Sequence, residues 1–305
     1  MKHTKSTALA LTLLLTVALF SGCTAEKPSA DVKTSVVDMM GREVSLEAPA
    51  KKIVALTAAD CEILYALGAG DTLVGRGSFC DYPEAVTKLP ELQSGSETNI
   101  EQIIALKPEL VLMSSMAQTK EQVAAIEAAG IKTAVSEATD IAGVYKSIEI
   151  IGALTGRANE ASDLVYQMKA SFEALSANAA GGSGKTVYFE VSPLEFGLWT
   201  SGAHTFMDEI AAMLGLKNAF ADVEGWAEIS QEQVIERNPD YIVTISPEAN
   251  GASPLDEIRT RKGWENMKAI KNDKLFAADP NEISRPGPRL TNAAQALSDF
   301  VYGGK

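Results

Sequence analysis

Asn99-Ile-Glu-Gln-Ile-Ile-Ala-Leu-Lys-Pro108-Glu-Leu-Val-Leu112 and Ser230-Gln-Glu-Gln-Val-Ile-Glu-Arg-Asn-Pro239-Asp-Tyr-Ile-Val243 are two versions of one pattern. Asn99 and Ser230 are good N-caps, and Gln102 and Gln233 stand three residues on, where a capping box needs them. Pro108 and Pro239 cannot continue a helix, and the apolar, branched run after each reads as a strand. A short helix feeding a buried strand, once in each half of the chain, predicts two similar α/β lobes. Each unit also carries a glutamate at its second helical position, Glu101 or Glu232. One such acid is explained by the positive helix end, worth ~0.3–1 kcal/mol. A matched pair points further, to one partner that meets both lobes.

Outward from these units the chain alternates strands and helices. Val36-Val-Asp38 and Glu43-Val-Ser-Leu46 predict a small hairpin; Ile53 to Thr57, Thr72 to Gly75 and Ile131 to Val135 predict strands. Helices are expected at Ala59–Leu67 and Gln118–Ala129, each stopped by a glycine. Such alternation implies a mainly parallel sheet covered on both faces. From Ile141 to Asn178 no proline interrupts, and Ala161, Leu164, Val165, Met168, Phe172 and Leu175 keep the spacing of one apolar helix face. A helix from Arg157 to Asn178 would be about 33 Å long at ~1.5 Å per residue, enough to cross between lobes. Gly181-Gly-Ser-Gly184 ends it. The second lobe restarts with a strand at Lys185–Val191 and a helix at Thr205–Leu214, and finishes with a strand at Leu275–Ala278 and a helix at Leu290–Tyr302. The expected segments are residues 35–145 for the first lobe, 146–180 for the helical connector and 181–305 for the second lobe.

Residues 1–22 stand apart from that fold. Lys2, His3 and Lys5 precede the apolar stretch Ala8–Phe20, and Ser21-Gly22 precede Cys23. This is a secretory leader, too short for an ordinary membrane span. A cysteine directly after it is the mark of a bacterial lipoprotein signal, with lipid on Cys23 and residues 23–34 as a tether. The site of action is then extracytoplasmic, on the membrane surface. The chain carries a formal net charge of −13, more negative still once Lys2 and Lys5 leave, so nucleic acid is not an expected partner. Cys61 and Cys80 could join in an exported protein, but nothing in the sequence sets their distance.

Catalytic and metal chemistry find little support. Gly184-Lys185-Thr186 imitates the end of a phosphate loop, but Ala179 stands where its first glycine belongs, and the segment precedes a strand instead of following one. His204 is the only histidine left after the leader, too few for a dedicated zinc or manganese site. It either helps a helix begin or meets a ligand. No nucleophile elbow, Ser-His-Asp set or paired-acid constellation stands out, so no enzyme is expected. The aromatics are more informative. Phe79 and Tyr82, in Ser78-Phe-Cys-Asp-Tyr-Pro83, follow one strand; Trp199 follows another; Trp226 sits just ahead of Ser230. In parallel sheets ligands bind beyond the strands' carboxyl ends, where these residues should cluster. Trp264, in a polar surface-like segment, is not expected there. Arg76, Arg285 and Arg289 are the nearby cations. Two prolines stiffen Ser284-Arg-Pro-Gly-Pro-Arg289, and Arg285 either anchors a ligand or closes a loop by ion pairing.

These residues together resemble a known family, the substrate-binding lipoproteins of ABC importers for cobalamin, ferric siderophores and haem. Val37-Asp-Met-Met-Gly-Arg42, Ile53-Val-Ala-Leu-Thr57, Glu62-Ile-Leu-Tyr-Ala-Leu-Gly68, Thr205-Phe-Met-Asp-Glu-Ile210, Gln231-Glu-Gln-Val234 and Arg285-Pro-Gly-Pro-Arg289 carry the likeness, with the Asn99–Pro108 unit. It implies two Rossmann-like lobes joined by one long helix, a ligand cleft between them and little closure. It also implies that Glu101 and Glu232 dock onto a permease that works with an ATPase. The resemblance places Phe79 and Trp226 at cleft positions, and leaves the wall around Gln93–Thr98 and Met113–Met116 more polar than in cobalamin binders. A corrinoid is favoured over a ferric siderophore, with haem as a further alternative; the protein itself needs no cofactor. A monomer is expected. A lipid-anchored sensor or accessory protein with the same cleft is the reading from another class.

Overall fold

The computed structural model describes residues 33–95, 97–114, 118–179, 184–248 and 253–303. The leader, Cys23 and the tether to residue 32 lie outside the described residues. The first lobe holds β1 (Thr34–Val37), β2 (Glu43–Leu46), β3 (Ile53–Ala55), α1 (Ala58–Ala66), β4 (Leu73–Gly77), β5 (Glu91–Leu92), α2 (Ile100–Ala105), β6 (Leu110–Met113), α3 (Lys120–Ala128) and β7 (Lys132–Val135). β1 and β2 pair as the expected antiparallel hairpin. The other five strands form an all-parallel sheet in the order β5-β4-β3-β6-β7. β3 and β6 are buried along their whole length, as continuous apolar runs in a covered parallel sheet should be.

Two helices then connect the lobes. α4 (Ile141–Thr155) stops at Gly156, whose left-handed φ of 70° a side-chain-bearing residue would resist. α5 (Ala158–Asn178) is the long helix anticipated from Arg157, which becomes its N-cap. The two pack tightly because Gly152 has no side chain; a Cβ there would stand 2.4 Å from Ala161 Cβ. Ala161, Val165, Met168, Phe172 and Leu175 are the buried face of α5, as their spacing predicts.

The second lobe contains β8 (Thr186–Ser192), β9 (Leu198–Ser201), α6 (Phe206–Met213), β10 (Lys217–Asn218), β11 (Trp226–Ile229), α7 (Gln231–Arg237), β12 (Tyr241–Thr244), α8 (Pro254–Thr260), α9 (Lys268–Lys271), β13 (Leu275–Ala277), α10 (Pro280–Ile283) and α11 (Leu290–Tyr302). Its sheet runs β11-β9-β8-β12-β13, with β10 beside the start of β8. This sheet is mixed. β12, β13 and β10 continue the parallel pattern, whereas β9 folds back antiparallel on β8 and β11 antiparallel on β9. The segments carrying Trp199 and Trp226 are therefore strands and not loops. Trp264 is likewise corrected: it is fully buried, edge-on to Tyr188 and beneath the Arg261 guanidinium at 4.2 Å.

One apolar core runs from Val44 through α4 and α5 to Leu297 and serves both lobes, while each sheet has its own outer core. Main chain also crosses the joint. The Phe206 amide donates to Thr139 O at 3.0 Å, and the Ile141 amide to Glu209 Oε2 at 2.7 Å. Among the described residues no helix is long and apolar enough to cross a membrane.

Candidate ligand cleft between the lobes

The strands of both sheets end at one place. Beyond β3 come Thr57, Ala58 and Ala59; beyond β6, Ser114; beyond β7, Ser136, Glu137 and Ala138. The other lobe adds Val191 near the end of β8 and Ile245 after β12. With Phe206, Trp226 and Ser284-Arg285-Pro286 these line a cleft of about 450 Å³. Its site is the one expected for parallel sheets, outside the carboxyl ends of the strands.

Trp226 is fixed in this wall by its strand and by α6. It pairs with Ser201 on β9, and its ring meets that of Phe206 at 5.6 Å. Phe206 is held by the N-cap of α6, Thr205, whose hydroxyl accepts from the Asp208 amide at 3.2 Å and bonds Ser201 Oγ at 2.6 Å. Trp199 pairs with Glu228, so it shares the sheet face of Trp226 one step closer to the rim. It is exposed and does not line the cleft itself. Phe196, in the turn before β9, is a more exposed aromatic on the same rim, with no periodic signal to single it out.

The first-lobe residues divide. Phe79 is 76% exposed, and neither it nor Tyr82 is among the lining residues. Arg76 is a correction. It is 8% exposed, donates to Cys80 O at 3.1 Å and Gly77 O at 3.3 Å, and pairs with Glu91 at 2.9 Å. It braces the loop that carries Phe79 instead of facing the cleft. Cys61 and Cys80 are free, buried thiols, each against the Ala55 carbonyl. Contact with Cys80, and then burial, push the Cys61 thiol far up, so it stays protonated.

Arg285 does line the cleft, and it is already paired. Its guanidinium reaches across the lobes to Glu62 Oε1 at 3.2 Å and Asp81 Oδ1 at 2.6 Å. Arg289 adds bonds to both Glu62 oxygens at 2.9 and 2.6 Å and lies over the Tyr82 ring at 4.1 Å. Glu62 is 2% exposed at its side chain. The hydrogen bond from Arg285 holds Asp81 below the usual carboxylate range. The loop-closing reading of Arg285 is the one its geometry takes. Beneath the cleft, Asp60 is fully buried. Ser136 Oγ donates to one of its oxygens and the other has no partner, so burial pushes its pKa up to about 7.

His204 is exposed, lies 3.9 Å from Glu224 and does not line the cleft. Among the described residues no group of three His, Cys, Asp or Glu comes together to hold a metal ion.

Glu101 and Glu232 are exposed in the first turns of α2 and α7. α2 follows β5 and α7 follows β11, the equivalent edge strands of the two sheets. Both strands run toward the cleft, so both helices start at its rim. Of the two units, the one at Ser230 forms the full capping box; at Asn99 the side chain accepts from the Gln102 amide at 3.0 Å without the reciprocal bond. The Glu232 carboxylate bonds the helix-end backbone, which lowers its pKa and keeps it charged.

The family model described as periplasmic binding protein matches residues 53–282. The chain is 33% identical to an uncharacterized ABC transporter substrate-binding lipoprotein of Bacillus subtilis, YvrC, over 95% of each chain. It is 28% identical to the vitamin B12-binding protein of Yersinia pestis, over 81% of this chain and 85% of the other. A solved structure from Staphylococcus epidermidis, described as a possible iron-binding periplasmic solute-binding protein, superposes with a TM-score of 0.70 at 29% identity. That match covers 83% of this chain and 99% of the other.

Proposed function

The chain belongs to the periplasmic binding protein family, and we propose that it captures a corrinoid in the cleft between its lobes. It is the substrate-binding protein of an ABC importer, works outside the cytoplasm, and delivers its substrate to a permease driven by an ATPase. It is not an enzyme.

One observation carries the corrinoid reading: the cleft is apolar and aromatic, and Arg285, the arginine among its described lining residues, is already neutralised. Trp226, Phe206, Val191 and Ile245 offer an apolar face, and an aromatic stacked on a large ring contributes ~0.5–1.5 kcal/mol beyond its buried area. The Ser136 and Ser284 hydroxyls donate to Asp60 and to the Pro280 carbonyl, which leaves their oxygens to accept from the carboxamide N–H groups around a corrin ring. An anionic siderophore gains from free cations, and Arg285 is held by Glu62 and Asp81. Haem iron looks for an axial His, Tyr, Met or Cys, and none is among the described lining residues. A ferric siderophore is the second reading, favoured by Asp81 itself. That carboxylate is half exposed, so a ligand acid reaching Arg285 would replace like with like.

Delivery is assigned to Glu101 and Glu232, charged groups at the rim of each lobe that suit two arginines on a symmetric permease. The anchor is assigned to lipid on Cys23 after removal of residues 1–22; the Bacillus relative is described as a lipoprotein. A Cys23→Ser form should leave the membrane fraction and supply soluble protein for calorimetry with cyanocobalamin, haem and a ferric-siderophore panel. Cyanocobalamin should bind tightest. Tightest binding of a siderophore or haem overturns the ligand assignment, and retention of Cys23→Ser in the membrane overturns the anchor.

A further inference from the structure

The two rim units share more than their glutamates. Ile104 stands three residues after Glu101, and Ile235 three after Glu232, a spacing that puts both side chains on one helix face. Both isoleucines are 38% exposed. Burial follows one order along both helices. The first residue is half-buried, the glutamate and glutamine exposed, Ile103 or Val234 buried, and Ile104 or Ile235 exposed again. The fold accounts for the buried position, because Ile103 and Val234 belong to the outer cores of their lobes. The next position is more than half covered by its own lobe, with Ile235 Cδ1 close to Gly263, yet each isoleucine leaves 38% of its surface to water. A single exposed isoleucine needs no explanation. Two at equivalent places, each beside a matched acid, do.

We propose that Ile104 and Ile235 are apolar anchors of the permease contact, each seated beside the cation that receives Glu101 or Glu232. This rests on the docking reading above and adds its energetic centre. An acid and an isoleucine repeated once per lobe call for a partner that presents one cationic and apolar site twice, as two copies of a permease subunit do. Seating the isoleucine excludes water from the neighbouring ion pair, which strengthens it. A second copy of this chain is the poorer occupant, because it sets glutamate against glutamate on molecules of formal charge −13.

The test is binding of the ligand-loaded protein to its permease–ATPase complex in lipid discs. Ile104→Ser, Ile235→Ser and their double variant are measured beside the Glu101→Gln, Glu232→Gln pair. Each serine should weaken docking roughly three- to tenfold, and the two together roughly ten- to a hundredfold. Ligand affinity should stay unchanged, the variants should stay folded at the assay temperature by circular dichroism, and Ile104→Leu should dock normally. If the glutamine pair loses docking and the serine pair stays within twofold of the parent, the isoleucines are refuted and the glutamate reading stands. If neither pair loses docking, both fall. A concentration-dependent dimer of the parent that the serine pair abolishes would also overturn the proposal, in favour of self-association.

Discussion

Asp60 shows how a single side chain ties the cleft to pH. It lies at the start of α1, directly under the cleft-lining Thr57–Ala59 turn, and packs against Ser136, which follows β7 in the same lobe. Burial raises its pKa from 3.8 to about 7; hydrogen bonds from Ser136 and Thr57 oppose the shift, and the nearby Glu137 adds to it. A carboxyl whose folded pKa is raised is protonated in the native state while the unfolded chain has already lost the proton. Its contribution is therefore fully present below about pH 4 and is lost as pH rises through about 7. With ~1.4 kcal/mol per unit, the protein should lose ~2–4 kcal/mol of stability over that window from this group. Asp60→Asn keeps the acceptor for Ser136 and has no proton to lose. Urea denaturation from pH 4 to 8 should show most of that slope gone in Asp60→Asn, with the variant more stable than the parent at pH 8. An unchanged slope would mean that another group sets the pH dependence.

At the scale of elements, α1, the 78–83 loop and the segment before α11 are joined by charge. Glu62, nearly fully buried, receives Arg285 and Arg289 from the other lobe. Removing one partner of a buried pair leaves the rest uncompensated, at ~3–5 kcal/mol. Glu62→Ala should destabilise by about that much in chemical denaturation. Asp81→Asn, at an exposed pair, should cost no more than ~1 kcal/mol. Equal losses in the two variants would contradict this division. The sequence could not show the pairing, because Glu62 and Arg285 stand 223 residues apart and nothing local marks partners at that distance. What local chemistry does mark was legible. Caps, proline stops and helical spacing located the two rim units, and the long helix to within a residue of its start. β9 and β11 were not, because four-residue strands that alternate Trp, Thr, Glu and Ala gain their stability from pairing with each other. Trp264 misled for the opposite reason: its neighbours Lys262, Gly263, Glu265 and Asn266 are polar, and Arg261 covers its ring with its own charge satisfied by Glu190 and Glu257. The cleft position of Trp226 was recovered, while Arg76 was misplaced because a cation's partners, and not its type, decide where it points.

For the whole molecule, the lobes are halves of one body. They share a core through α4 and α5, and the backbone and Glu209 bonds at the joint add to it. A continuous helix has no free dihedrals to act as a hinge, so the cleft is largely preformed and ligand affinity is not spent on closing it. A preformed cleft also holds Glu101 and Glu232 at a fixed separation, so in the docking proposed above two weak rim contacts would act as one oriented dock. All of this depends on the ligand lying between the lobes against Trp226. The most direct measurement is a fluorescence titration of the soluble protein and of Trp226→Ala with cyanocobalamin. Binding should quench tryptophan emission in the parent, and Trp226→Ala should show less quenching and an affinity ~5- to 100-fold weaker, the loss of ~1–3 kcal/mol of ring contact. Saturable binding with the same affinity and the same quenching in both proteins would place the ligand elsewhere and contradict the account.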